Sequence, residues 1–259
     1  MPNSVVTGAS SGIGRAIAIR LARDPLSQTV VHYRGNLEGA RQTAATIEAS
    51  GGMCHLIQAD LSQADDISRL ADQAFKQLGT IDAWVNNAGL DVLTGEASGW
   101  TFDQKLRALL DVDLCGTISL SRIVGDRLIE QSQASGAQTG APSMVFIGWD
   151  QAPEGMEGDA GMMFGPVKAA VMAFANSLAQ TLAPHVRVNT VAPGWIQTAW
   201  GETTQGYWDE RARSQALMHR WGRPEDIAEA VSYLTSEAAS FVTGQTININ
   251  GGFNRRFEL

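Results

Sequence analysis

A chain of 259 residues is long enough for one large domain with a substantial core, and no shift in composition divides it, so a single domain over 1–259 is expected. Its formal net charge of −8 and pI near 5.0 exclude a surface built to neutralise a phosphate backbone, so no nucleic-acid partner is expected. Only Cys54 and Cys115 are present, with no His or Cys at ligand spacing, which excludes a disulfide framework and a metal centre and reads both as buried small hydrophobes.

The first stretch, MPNSVVTGAS, has no basic segment followed by an apolar one, and no uninterrupted apolar run reaches membrane-spanning length. A soluble, cytoplasmic protein without a membrane partner is expected. From SVVTG onward, short β-branched or apolar runs alternate with helical periodicity. The strands continue as TVVHY, CHLIQAD, DAWVNNAG, SMVFIG, VRVNTVAPG and TININGG; the helices fall near Arg15–Asp24, Leu37–Ser50, Asp65–Leu78, Phe102–Gln131 and 163–182. Nearly continuous apolar strands alternating with helices predict an α/β fold, a Rossmann-like doubly wound parallel sheet covered on both faces. The polar stretch 130–143 reads as an exposed loop.

Directly after the first strand comes TGASSGIG, residues 7–14. Gly8, Gly12 and Gly14 permit a tight turn, close approach of backbone to a pyrophosphate and tight packing of the next helix; Ser10, Ser11 and Ile13 complete the loop. The helix that follows would point its free amides at the anion.

These residues are joined, in order, by Asp60 and Leu61, by NNAG at 86–89, by PGWIQT at 193–198 and by GRPEDIAEAVSYLTSEAASFVTGQTININGG at 222–252. Over nearly its whole length the chain resembles the short-chain dehydrogenase/reductase family, in particular the branch containing the 3-oxoacyl-carrier-protein reductases. The resemblance implies that Asp60 bonds the adenine amino group with Leu61 backing the ring. It implies that Asn87 braces the central strands, that Ala88 and Gly89 give the ribose room, and that Thr198 holds the nicotinamide carboxamide beside Pro193, Gly194 and Ile196. Members that prefer NAD place a carboxylate at the end of the second strand, where HYRGN offers Tyr33, Arg34 and Asn36. A guanidinium suits a 2′-phosphate, so NADP(H) is expected over NAD(H).

The family's chemistry uses a Ser after the fifth strand, a Tyr four residues before a Lys, and an Asn in the preceding helix. Here the Lys is Lys168, but Phe164 stands at the Tyr position, Trp149 at the Ser position and Asp113 at the Asn position. The loop from 149 to 164 is about two residues longer than usual, so a slip in alignment would bring Asp150 to the Ser position. Phe and Trp cannot protonate an alkoxide, although an indole N–H still donates one hydrogen bond. Asp113, Asp150 and Asp159 are the candidate replacements, with Asp150 first because pteridine-reducing members carry an Asp at the Ser site. Tyr207 is a further candidate, since the chain's other tyrosines are Tyr33 and Tyr233.

Trp149, Met162, Met163, Phe164, Trp195, Trp200 and Trp208 fall on the substrate side, where they either stack on a flat substrate or pack a lid expected at 198–222. Three functions follow. One is an NADP(H)-binding oxidoreductase with an atypical active site, reducing a small C=N or conjugated, pterin-like substrate. Another is an inactive dinucleotide-binding sensor or scaffold, and a weaker third is a carbonyl or 3-oxoacyl reductase with a substituted proton donor. The family also implies a homodimer or homotetramer.

Overall fold

The apolar runs form seven strands: β1 (Asn3–Val6), β2 (Gln28–Tyr33), β3 (Met53–Gln58), β4 (Ala83–Asn86), β5 (Ser143–Ile147), β6 (Arg187–Pro193) and β7 (Thr246–Ile249). The computed structural model describes residues 3–24, 26–135, 140–198, 201 and 206–254. All strand pairs are parallel, in the order β3-β2-β1-β4-β5-β6-β7. Every residue of β1, β4, β5 and β6 is buried, because helices cover both faces.

Helices α1 (Gly12–Leu21), α2 (Leu37–Ala49) and α8 (Pro224–Thr235) cover one face, burying Ile17, Ile47 and Val231 against Val6, Val31 and Val191. Helices α3 (Ala64–Leu78), α5 (Thr117–Ala134) and α6 (Gly158–Leu182) cover the other, packing Leu70, Leu120 and Val171 on Val5, Trp84 and Phe146. The chain crosses the middle of the sheet between β1 and β4, so the turns after these strands meet at one end. There an open α/β sheet places its ligand.

Three boundaries differ from expectation. Helix α1 begins at Gly12 rather than Arg15: Gly12 takes the positive φ that turns the chain into the helix, and Gly14 packs tightly against the Gly8 carbonyl of the turn before it. The expected helix 102–131 is α4 (Phe102–Leu109), a π-helical stretch Leu110–Gly116, and α5. Gly116 allows the close fit there, since a side chain at 116 would collide with the Leu61 carbonyl. Helix α6 starts at Gly158, five residues before the expected 163. It is long and apolar enough to cross a membrane, but nine of its residues are buried inside the protein. Cys115 is exposed, contrary to expectation, because the π stretch turns it outward; Cys54 is half-buried and its thiol is pushed up to about 12 by desolvation.

Candidate dinucleotide and active site

Backbone geometry builds the cradle. Gly8 and Gly12 have φ of +64° and +53°, and a Cβ on Gly8 would lie 2.7 Å from the Ala88 Cα. One on Gly14 would strike the Gly8 carbonyl and the Asn87 amide. The N-cap Ser11 makes no side-chain cap, and no side chain among the described residues caps the start of α1, which leaves its first amides for an anion. The Thr198 methyl lies 3.6 Å from where a Gly12 Cβ would be, so PGWIQT and the glycine turn face each other across a narrow gap. These residues fit a dinucleotide.

The loop is held by bonds the sequence only partly revealed. Asn87 is the expected brace: its Nδ2 donates to the Thr7 and Gly8 carbonyls at 2.9 and 3.1 Å. Thr7 Oγ1 in turn accepts from the Asn87 and Ala88 amides, both at 2.9 Å. Arg15 donates to the Ser10 carbonyl at 2.7 Å and to Thr43 Oγ1 at 3.1 Å, while Thr43 donates to the Ala9 carbonyl at 3.0 Å. His32 accepts from the Gly8 amide at 3.0 Å. Arg15, His32 and Thr43 went unrecognised, since nothing in their spacing distinguishes them from ordinary helix and strand residues.

At the adenine side, Asp60 Oδ1 accepts from Ser62 N and Oγ at 2.9 and 2.8 Å, an Asx turn that leaves Oδ2 without a bond among the described residues. Leu61 is 3 % exposed and belongs to the core, so it offers its backbone rather than a broad apolar face to a ring. Asn36 caps α2 through Oδ1, accepting from Gly39 N at 2.9 Å. Arg34 is exposed at the end of β2, and its guanidinium has no partner among the described residues.

Helix α6 and the π stretch set the catalytic end. Lys168 Nζ lies 3.2 Å from Asp113 Oδ2, with the side chains 16 % and 2 % exposed. Asp113 Oδ1 accepts from Leu90 N at 2.8 Å, and a Cβ on Gly89 would come within 2.9 Å of Oδ2. Gly89 therefore makes room for this carboxylate as well. Phe164, one turn before Lys168, packs with Val92, Leu109, Met163 and Val167. Trp149 is half-buried, its Cζ3 edge 3.9 Å from a Cβ built on Gly165. Its indole N–H has no acceptor among the described residues.

A sequence model described as enoyl-(acyl carrier protein) reductase matches residues 8–254. The chain is 32% identical over 251 residues to 3beta-hydroxysteroid dehydrogenase 1 of Eggerthella lenta, covering 96% of this chain and 92% of that protein. It is also 32% identical over 254 residues to 3-oxoacyl-(acyl-carrier-protein) reductase FabG of Staphylococcus aureus, covering 96% and 97%. The chain belongs to the short-chain dehydrogenase/reductase family. Among solved structures, a short chain dehydrogenase of Burkholderia cenocepacia in complex with NADP has a TM-score of 0.80 at 29% identity, covering 97% of each chain. Acetoin dehydrogenase of Salmonella typhimurium has a TM-score of 0.81 at 27% identity, covering 99% and 98%.

In this short-chain dehydrogenase/reductase, Asp150 pairs with Asn250 rather than with Lys168. Its amide donates to the Pro193 carbonyl at 3.1 Å, and its Oδ2 accepts from Asn250 Nδ2 at 3.0 Å. It thereby ties the turn after β5 to the end of β6 and to the residue that follows β7. Burial pushes its carboxyl above the usual range, and Oδ1 is buried without a partner among the described residues. Asp159 is exposed in the first turn of α6.

The aromatic residues pack the lid. Helix α7 (Tyr207–Gln215) sets Trp208 5.8 Å from Trp195, which in turn lies 6.0 Å from Trp221. Arg211 lies within 5.5 to 5.9 Å of the Trp195, Tyr207 and Trp208 rings and forms an ion pair with Glu157, the N-cap residue of α6. That guanidinium holds the Glu157 carboxyl down at about 2. Tyr207 is 61 % exposed, with its hydroxyl donating to Glu157 at 3.3 Å, so it supplies no phenol beside Lys168. Trp200 and residues 199 and 202–205 of the expected lid lie outside the described residues. Arg211→Met is expected to accelerate amide exchange across 207–215 by about tenfold and to shift the tryptophan emission. Unchanged exchange would show that aromatic packing alone holds α7.

Proposed function

We propose that this protein is an NADP(H)-dependent reductase of a small, flat substrate carrying a protonated or readily protonated C=N bond, with a pterin-like heterocycle as the model. The observation that carries the reading is the buried Asp113 against Lys168. Hydride at the nicotinamide belongs to the cofactor when bound. Lys168 would hold the ribose side of that cofactor, and Asp113 fixes the ammonium in place.

The pair has no net charge. A lone ammonium would repel an iminium about 5 Å away by roughly 3 kcal/mol at an effective dielectric of ~20; a carboxylate at its side removes most of that repulsion. An iminium arrives already protonated and needs no phenol at position 164. Trp149 and Phe164 offer apolar ring surface in place of two hydroxyls, and the Trp149 N–H supplies one donor for an acceptor on the substrate. Asp150 acts as an anchor for the carboxamide-side turn. Arg34, free at the end of β2, supports NADP(H) over NAD(H). We further propose a cytoplasmic homodimer or homotetramer.

A dinucleotide-binding protein without catalysis is the second reading, favoured by Phe164 and Trp149 at the family's Tyr and Ser positions, neither of which can protonate an alkoxide. The experiment that separates them measures NADPH and NADH oxidation with cyclic imines, dihydropterins and simple ketones. Wild type is expected to use NADPH with the imines or pterins. Asp113→Asn keeps an acceptor for Leu90 N but leaves Lys168 uncompensated, and is expected to raise KM for a cationic imine by ten- to a hundredfold, with NADPH affinity measured separately. Tight NADPH binding without turnover of any class would favour the second reading.

A further inference from the structure

His32 lies at the meeting point of the glycine turn and the adenine side, and its two nitrogens are both used. The Gly8 amide donates to Nδ1 at 3.0 Å, and Nε2 faces the Ala59 carbonyl at 3.0 Å. A backbone amide only donates and a carbonyl only accepts, so the ring is fixed as the neutral Nε2–H tautomer. Its own carbonyl accepts from Ala9 N at 2.9 Å, and Ala59 N donates to the Tyr33 carbonyl at 3.1 Å. The side chain is 2 % exposed. One residue thus bridges the positive-φ Gly8 to the residue before Asp60.

We propose that His32 is a positioning residue of the dinucleotide site, a strut that sets the pyrophosphate-binding turn and the adenine-side Asp60 at a fixed separation. The proposal rests on the dinucleotide reading of the cradle. A cofactor spanning both ends gains only when the two halves are held at one spacing, since ordering them on binding lowers affinity. An imidazolium would set an N–H against the Gly8 N–H. Asp60 and Asp66, the charged groups facing the ring, both draw a proton toward it, but desolvation outweighs them and lowers its pKa to about 4.

Three substitutions separate the two bonds. His32→Asn retains an acceptor near the Nδ1 position, His32→Gln a donor near the Nε2 position, and His32→Leu neither. With the full chain at pH 7.5, His32→Leu is expected to weaken NADPH binding, read by fluorescence or calorimetry, about ten- to a hundredfold. His32→Asn should stay within about threefold of wild type and His32→Gln fall between. Nitrogen-15 shifts of the wild-type ring should report the Nε2–H tautomer, uncharged at pH 6.

His32→Leu binding NADPH as tightly as wild type would overturn the proposal. So would an imidazolium or an Nδ1–H tautomer at pH 6, a measurement that stands even if the Leu variant does not fold. A wild type that binds neither NADPH nor NADH would instead overturn the dinucleotide reading beneath it.

Discussion

Phe164→Tyr combined with Trp149→Ser is expected to confer NADPH-dependent reduction of simple ketones at least 100-fold above wild type. The double change restores the two hydroxyls that the family uses, on a backbone that already has Lys168 one turn beyond position 164 on α6. Phe→Tyr adds a single oxygen to a half-buried ring. Trp149→Ser removes an indole that rests on Gly165 and is itself only half-buried, so the space opens toward solvent instead of leaving a sealed cavity. Adding Asp113→Asn should raise the rate again, because an uncompensated Lys168 lowers the pKa of a neighbouring phenol more strongly than a neutral pair does. Steady-state kinetics on a β-keto ester, with NADPH affinity measured alongside, decides the matter. Intact NADPH binding with no ketone turnover in the triple variant would mean that the lid and cleft shape, rather than the missing hydroxyls, exclude ketones.

Acidification from pH 6.5 to 4 is expected to lower unfolding free energy by about 3 kcal/mol through His32 alone, and His32→Asn is expected to abolish that share of the loss. Burial lowers the folded ring's pKa to about 4, against about 6.5 for a free imidazole. Between those values the unfolded chain binds a proton that the native ring refuses. Stability from this residue is therefore fully present above about pH 6.5 and fully lost below about 4. Asp150 runs the other way, because its raised carboxyl takes up a proton in the native state first, so acidification relieves it. Subtracting the His32→Asn profile from that of wild type isolates the histidine. Parallel denaturation midpoints for the two proteins across this range would show that the ring is not buried as a neutral strut.

The glycine-turn end of the candidate site was legible in the sequence because its parts are local. A glycine turn, a strand end and an Asn-Asn-Ala-Gly run act through backbone conformation and short side chains, and residues 8 to 14 and 86 to 89 carry that information in order. Asn87 reaches Thr7 and Gly8 across one strand pair, as expected. The exposed Arg34 also follows from position alone. Asn36 and Leu61 were legible as neighbours of the site, but a helix cap and core burial take up their side chains.

The substituted catalytic end could be named but not arranged. The sequence ranked Asp150 first of three carboxylates, and the structure separates them differently: Asp113 meets Lys168, Asp150 meets Asn250, and Asp159 faces solvent. What separates them is a π-helical stretch that turns Asp113 inward, and a strand order that sets β5 beside β6 and β6 beside β7. The aromatic lid was open between stacking on substrate and packing on itself, and contacts spanning residues 157 to 221 fix the second for Trp195, Trp208 and Trp221. His32 went unseen for the same reason. The sequence by itself determined the fold, the family and the glycine turn, since period, turn residues and motif order are properties of neighbouring residues. Only the tertiary structure decided which distant side chains share a charge or a proton, because desolvation and a 3 Å contact exist only once the strands and helices have been brought together.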